Sequence, residues 1–155
     1  MEMMEDKILI DTNILIYSTS GQSPFFAASH AAIANYLNSN YAIWISRQII
    51  REYLVVKSRL MLDEKKYDEL VLFKEIKYLA NNYIIADEIS STTLILSELL
   101  QKYKIAGKQI HDANIVATCI DNSIFNILTN NPNHFKRYAS EGINVIALTS
   151  FTNSR

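Results

Sequence analysis

Five short apolar runs, rich in β-branched residues, recur between longer stretches of helical periodicity, and this alternation constrains the fold more than any other feature of the sequence. The runs are Ile8-Leu9-Ile10, Ala42-Ile43-Trp44-Ile45, Tyr83-Ile84-Ile85, Phe125-Asn126-Ile127-Leu128 and Val145-Ile146-Ala147-Leu148. Between them, apolar residues spaced three and four apart predict helices over 25–38, 46–60, 63–81, 92–103 and 112–120. Ser46 and Asp63 stand where N-caps of the second and third of these helices belong. Strands alternating with helices make a parallel sheet covered on both faces. The expected fold is therefore α/β, a three-layer α/β/α arrangement around a central parallel sheet of four to five strands. A chain of 155 residues has room for one such core, and its three glycines and two prolines leave few flexible linkers, so one domain over residues 1–155 is expected.

The net charge of −1 excludes the strongly basic footprint of a general nucleic-acid binder. Any attraction for nucleic acid must be local. Cys119 is the only cysteine, so no intrachain disulfide can form. Met1 to Lys7 is acidic and leads into three apolar residues before Asp11, unlike a secretory signal. No uninterrupted apolar run approaches the ~18 residues of a membrane span. A cytoplasmic protein with no membrane association is expected.

Ligands in parallel α/β folds bind beyond the carboxyl ends of strands, where the chain order reverses. Asp11 directly follows the first strand, with Thr12 and Asn13 opening the next helix; Asp11 or Asn13 reads equally well as a cap of that helix. Glu52 has Val55 and Val56 as its helical neighbours and Gln48 and Val56 at the four-residue spacing, so no ion pair along its helix is available. Either it belongs to a site, or it reaches outward to solvent or Arg59. Asp112 lies on the face carrying Ile115, Val116, Cys119 and Ile120, an odd place for an isolated acid, although a carboxylate opening a helix also satisfies free N–H groups there. After the fourth strand, Thr129-Asn130-Asn131-Pro132 has the composition of a turn.

Taken together, these segments resemble the PIN-domain family, and within it the VapC-type toxin ribonucleases of type II toxin–antitoxin systems. The resemblance rests on Ile8-Leu9-Ile10-Asp11-Thr12-Asn13, on Ile45-Ser46 leading to Glu52, on Gly107-Lys108-Gln109-Ile110-His111-Asp112-Ala113, and on Leu128-Thr129-Asn130-Asn131 followed by Phe135. It covers nearly the whole chain in order. It implies a PIN-like fold with Asp11, Glu52 and Asp112 as ligands of Mg²⁺ or Mn²⁺, and Thr12, Asn13, Ser46 and Thr129 as polar support. The family's fourth acidic place falls on Asn131, a departure that weakens the case for a permanently occupied second metal site.

The chemistry expected of such a set follows from its charge. Two carboxylates about 4 Å apart repel by roughly 4 kcal/mol at an effective dielectric of 20. Converging acids therefore call for a cation, and hard oxygen donors suit Mg²⁺ or Mn²⁺. No Ser-His-Asp arrangement or cysteine nucleophile is evident, and metal-activated water attacking phosphorus is the economical mechanism. Arg47, Arg51 and Arg59, Lys102, Lys104 and Lys108, and Lys136 and Arg137 flank the acidic segments and read either as phosphate attraction or as a solvated face. His111 and His134 are near the site without being assigned as ligands.

The resemblance further implies an RNA substrate, a cognate antitoxin and a homodimer. Tyr67, Leu70, Val71, Phe73, Ile76, Tyr78 and Leu79 exceed one core-facing stripe, as for a helix that meets a partner or one buried on several sides. Three rival readings stand beside the toxin. A phosphoacceptor or nucleotide-binding domain lacks its Asp-Asp pair and glycine-rich loop. A catalytically weakened PIN scaffold binding RNA or protein is kept open by Asn131, and an RNA-maturation nuclease is the third.

Overall fold

The computed structural model describes residues 5–152; residues 1–4 of the acidic start noted above lie outside the described residues. The elements run β1 (Asp6–Ile10), α1 (Thr12–Ser18), α2 (Phe26–Asn38), β2 (Tyr41–Ser46), α3 (Arg47–Asp63), α4 (Glu69–Asn82), β3 (Ile84–Ala86), α5 (Ser90–Lys102), α6 (Gln109–Asp121), β4 (Asn126–Thr129) and β5 (Asn144–Ala147), with short 3-10 turns on either side of β5. The five strands form one parallel sheet in the order β3-β2-β1-β4-β5. Helices cover both faces, giving the three-layer α/β/α fold that the strand and helix alternation predicts.

Burial on both faces explains why the strands read as continuous apolar runs. Ile8, Leu9, Ile45, Ile127 and Leu128 are all fully buried. β1 lies centrally, with β2 and β3 added on one side and β4 and β5 on the other, so the chain order reverses between β1 and β4. Register there pairs Ile10 with Leu128. The residues after these two positions consequently emerge together at one sheet edge, Asp11 from β1 and Thr129 at the end of β4.

Three helix starts differ from the sequence reading by two residues or more. Asp63 closes α3 and caps nothing: Lys65 turns left-handed at φ 56°, the Lys66 N–H reaches back to the Met61 carbonyl at 2.8 Å, and Asp68 caps α4 by accepting from the Leu70 N–H at 2.8 Å. α5 starts at Ser90, two residues before Thr92. α6 starts at Gln109, after Gly107 at φ 58°, so Asp112 lies in the first turn, where it complements the helix dipole but accepts from no backbone N–H.

Tyr67, just before α4, and Leu70, Val71, Phe73, Ile76 and Tyr78 of that helix are all 40–55% exposed, whereas Leu79 is fully buried. The alternative of a helix buried on several sides is thereby overturned. Among the described residues no helix is long and apolar enough to cross a membrane.

Candidate active site

Asp11 is the first residue beyond β1, and its N–H extends the β1–β4 pairing by one bond to the Leu128 carbonyl, at 3.0 Å. Its Oδ1 accepts from the Thr12 N–H at 2.8 Å, and its Oδ2 accepts from the Thr129 hydroxyl at 2.7 Å and the Asn13 amide at 3.0 Å. Asp11 is therefore the cap of α1 and a cavity residue at once. The support is itself held. Asn13 Oδ1 accepts from the Asn130 N–H at 3.0 Å, and Thr129 Oγ1 accepts from the Asn131 N–H at 2.9 Å.

Glu52 points from α3 toward the same place. Its Oε2 accepts from the Thr12 hydroxyl and its Oε1 from the Gln48 amide, both at 2.7 Å. The outward pairing with Arg59 does not form; among the described residues Arg59 has no ion pair. The apolar arc around Glu52 is surface rather than core, because Val55 and Val56 are both exposed. Asp112, half-buried on α6, has Oδ2 3.4 Å from His134 Nδ1.

A cavity of about 360 Å³ at this sheet edge is lined by Asp11, Thr12, Asn13, Glu52, Asp112, Asn131 and His134. Six of the eight positions expected from sequence thus share one space. Thr129 is fully buried and acts through Asp11. Ser46, also fully buried, caps α3 by accepting from the Ile49 N–H at 3.1 Å and does not line the cavity.

Burial pushes the Asp11 carboxyl above its ordinary value, and the charges of Glu52 and Asp112 push it the same way, against hydrogen bonds from Thr129 and Thr12 that favour the anion. Burial also raises Asp112, with Glu52 adding to the rise and His134 and His111 opposing it. Negative charge has been gathered here at a cost to the fold. Burial likewise raises the Cys119 thiol, with Asp11 adding to it, which removes Cys119 as a thiolate nucleophile.

The donor set fits a hard divalent cation in kind: three carboxylates on separate elements around one cavity, whose wall is completed by Ile16, Tyr17 and Val56. Their present positions do not close on an ion, since among the described residues no three Asp, Glu, His or Cys side chains come within reach of one. The hydrogen bonds above hold Asp11 and Glu52 where they stand, so closure on an ion falls to Asp112, whose charged contact is with His134 at 3.4 Å.

Of the flanking basic residues, Arg47 pairs with Asp87 at 2.7 Å, Arg51 with Glu88 at 3.6 Å, and Lys102 with Glu141. Lys108 and Arg137 have no ion pair among the described residues. Both line a groove of about 340 Å³ that shares Asp112 and His134 with the acidic cavity.

Two polar contacts of the site go beyond the sequence reading. His134 reaches Asp112 because Pro132–His134 forms a 3-10 turn directly after Asn131, and its only sequence signal was proximity to that position. Gln48 was legible as the residue one helical turn before Glu52, but its hydrogen bond to Glu52 was not.

The family profile of the PIN domain matches residues 8–141. No curated protein matches the chain. Among solved structures, the chain is similar to VapBC-1 from nontypeable Haemophilus influenzae (TM-score 0.67, 16% identity, covering 92% of this chain and 98% of that one). It is also similar to a toxin-antitoxin complex from Klebsiella pneumoniae (0.60, 22%, 91% and 97%). A third likeness is to VapC20 of Mycobacterium tuberculosis, a sarcin-ricin loop cleaving toxin (0.59, 11%, 90% and 98%). At these identities the structures establish a shared fold. Together with the profile match from the first buried strand to the turn before the last, they establish that the chain belongs to the PIN domain family.

Proposed function

We propose that this chain is a divalent-metal-dependent endoribonuclease and the toxin of a toxin–antitoxin pair. The observation that carries the reading is the convergence of Asp11, Glu52 and Asp112, from β1, α3 and α6, on one cavity beyond the sheet's reversal point. Asp11, Glu52 and Asp112 would hold Mg²⁺ or Mn²⁺. When bound, such an ion activates water for attack on a scissile phosphodiester and stabilises the charge that develops on the phosphate.

The chain's own groups serve that chemistry in definable ways. Thr129 and Asn13 donate to Asp11 Oδ2 and so favour its ionised, ligating form. Thr12 and Gln48 hold the Glu52 carboxylate at the cavity. Asn131 lines the cavity as a neutral amide, adding polarity without a fourth negative charge. Lys108 and Arg137 supply the local attraction for phosphate that the net charge of −1 does not.

VapC20, with the same fold, is a sarcin-ricin loop cleaving toxin, which supports RNA as the substrate here. The Klebsiella relative is a toxin-antitoxin complex, and the exposed apolar face of α4 gives an antitoxin or a second copy of this chain a surface to cover. The open spacing of the acids favours one rival, a PIN scaffold that binds RNA without cutting it.

One comparison separates the two. Purified chain incubated with single-stranded RNA cleaves it with Mg²⁺ or Mn²⁺ and not with EDTA, and expression of the wild type arrests growth while Asp11→Asn and Asp112→Asn relieve the arrest. Cleavage undiminished in chelator would reject the mechanism; no cleavage under any condition would favour the binding scaffold.

A further inference from the structure

We propose that Gln48 is a positioning residue for Glu52, with its amide locked in one orientation by Asn114; the inference rests on Glu52 being a metal ligand. Gln48 is buried in the first turn of α3, where a polar side chain needs every hydrogen bond satisfied. Its Nε2 donates to Glu52 Oε1 at 2.7 Å and to the His111 backbone carbonyl of α6 at 3.1 Å. A carbonyl oxygen only accepts, so the NH₂ group must face this side. Its Oε1 accepts from Asn114 Nδ2 at 2.8 Å. Asn114 is oriented in turn, because the same Nδ2 donates to Glu88 Oε2 at 3.3 Å. Glu88 Oε1 lies 3.6 Å from Arg51 on α3.

The hydrogen bonds therefore run as a chain from Gln48 on α3 across α6 to Glu88 before α5, and the 3.6 Å ion pair of Glu88 with Arg51, longer than a hydrogen bond, leads back to α3. A carboxylate at each end of the amide pair fixes both amides: Glu52 and Glu88 both accept, so neither amide can turn over without facing an oxygen with an oxygen. Thr12 holds the other oxygen of Glu52. Gln48 thus fixes the Glu52 carboxylate and, through the His111 carbonyl, ties α3 to the turn of α6 that carries Asp112.

Partners that orient a metal ligand change metal affinity or activity by about 10- to 100-fold when removed. The test uses the full chain and MnCl₂ alone, with free Mn²⁺ followed by electron paramagnetic resonance and melting temperature measured in EDTA. Gln48→Met, which keeps the volume and loses the amide, weakens Mn²⁺ binding by about tenfold or more. Asn114→Leu leaves Gln48 and Glu52 in place but frees the amide to turn, and weakens binding, by less than Gln48→Met does. It carries the test alone if Gln48→Met does not fold.

In a Glu52→Gln background, Gln48→Met causes no further loss, because its effect passes through that carboxylate. A structural role alone would lower the melting temperature and leave Mn²⁺ affinity unchanged. Wild-type affinity in Gln48→Met, or an equal loss in the Glu52→Gln background, overturns the proposal while the nuclease reading stands. A wild type that binds no Mn²⁺ overturns both.

Discussion

Replacing Thr129 with Val removes one hydroxyl, nearly conserves volume, and tests whether the buried charge on Asp11 is held by this contact. Thr129 is fully buried, and its hydroxyl donates to Asp11 Oδ2 at 2.7 Å. Among the interactions that lower the Asp11 carboxyl, it is the largest. A hydrogen bond to a charged group contributes about 1.5–3 kcal/mol, against about 0.5–1.5 kcal/mol for a neutral one. For a chain of this length each kcal/mol moves the melting temperature by about 2–4 °C, so Thr129→Val lowers it by about 3–12 °C at neutral pH in EDTA.

The pH dependence carries the sharper test. Because the folded Asp11 carboxyl lies above its ordinary value, its contribution to stability is fully present below the ordinary aspartate range and is lost as pH rises through the raised value. The Thr129 hydroxyl offsets part of that loss by favouring the anion, so the deficit of the Val variant is largest at neutral pH and shrinks in acid. The same change pushes the Asp11 carboxyl further up and moves the acidic limb of the cleavage profile to higher pH. Melting curves of both proteins, followed by circular dichroism from acid to neutral pH, check this; a deficit of constant size across the range would refute the reasoning.

Lys108→Ala and Arg137→Ala, tested on the cleavage-deficient Asp112→Asn chain, weaken single-stranded RNA binding, and each reduces the slope of log affinity against log salt by about 0.7 in filter-binding titrations. An unchanged slope for both would remove the groove they line from the RNA path. Tyr53→Phe deletes a buried hydroxyl that donates to Glu75 at 2.6 Å and lies 3.0 Å from the Thr19 hydroxyl, linking α3 to α4 and to the end of α1. It destabilises the fold by about 1.5–3 kcal/mol in urea titrations, and a loss well under that range would place the strength of this junction elsewhere.

The fold was legible because its strands are buried on both faces and so carry their signal as apolar runs, as Ile8-Leu9-Ile10 does. Boundaries were legible only where one residue type dominated. Ser46 caps α3 as expected, but Asp63 and Asp68 are equally good caps by type, and the left-handed turn at Lys65 decides between them. At the site, Asp11 was legible from its place after a strand, and the resemblance then aligned Glu52, Asp112 and Asn131. The Gln48–Asn114 pair was not, because its residues are 66 apart and only the packing of α3 on α6 brings them together. Periodicity also misjudged the surroundings of Glu52, since a valine pair at helical spacing looks the same whether it faces core or solvent.

The bond from Thr129 to Asp11 joins positions 118 residues apart. During synthesis at about 5–20 residues per second, the opening strand waits many seconds for the neighbour that completes the acidic pocket. A ribosome-bound intermediate lacking β4 has no hydroxyl to steady Asp11 and no Asn131 at the rim, so the pocket stays unfinished until β4 has been made. On the proposed nuclease reading, the fold itself thus withholds hydrolytic competence until β4 has left the ribosome.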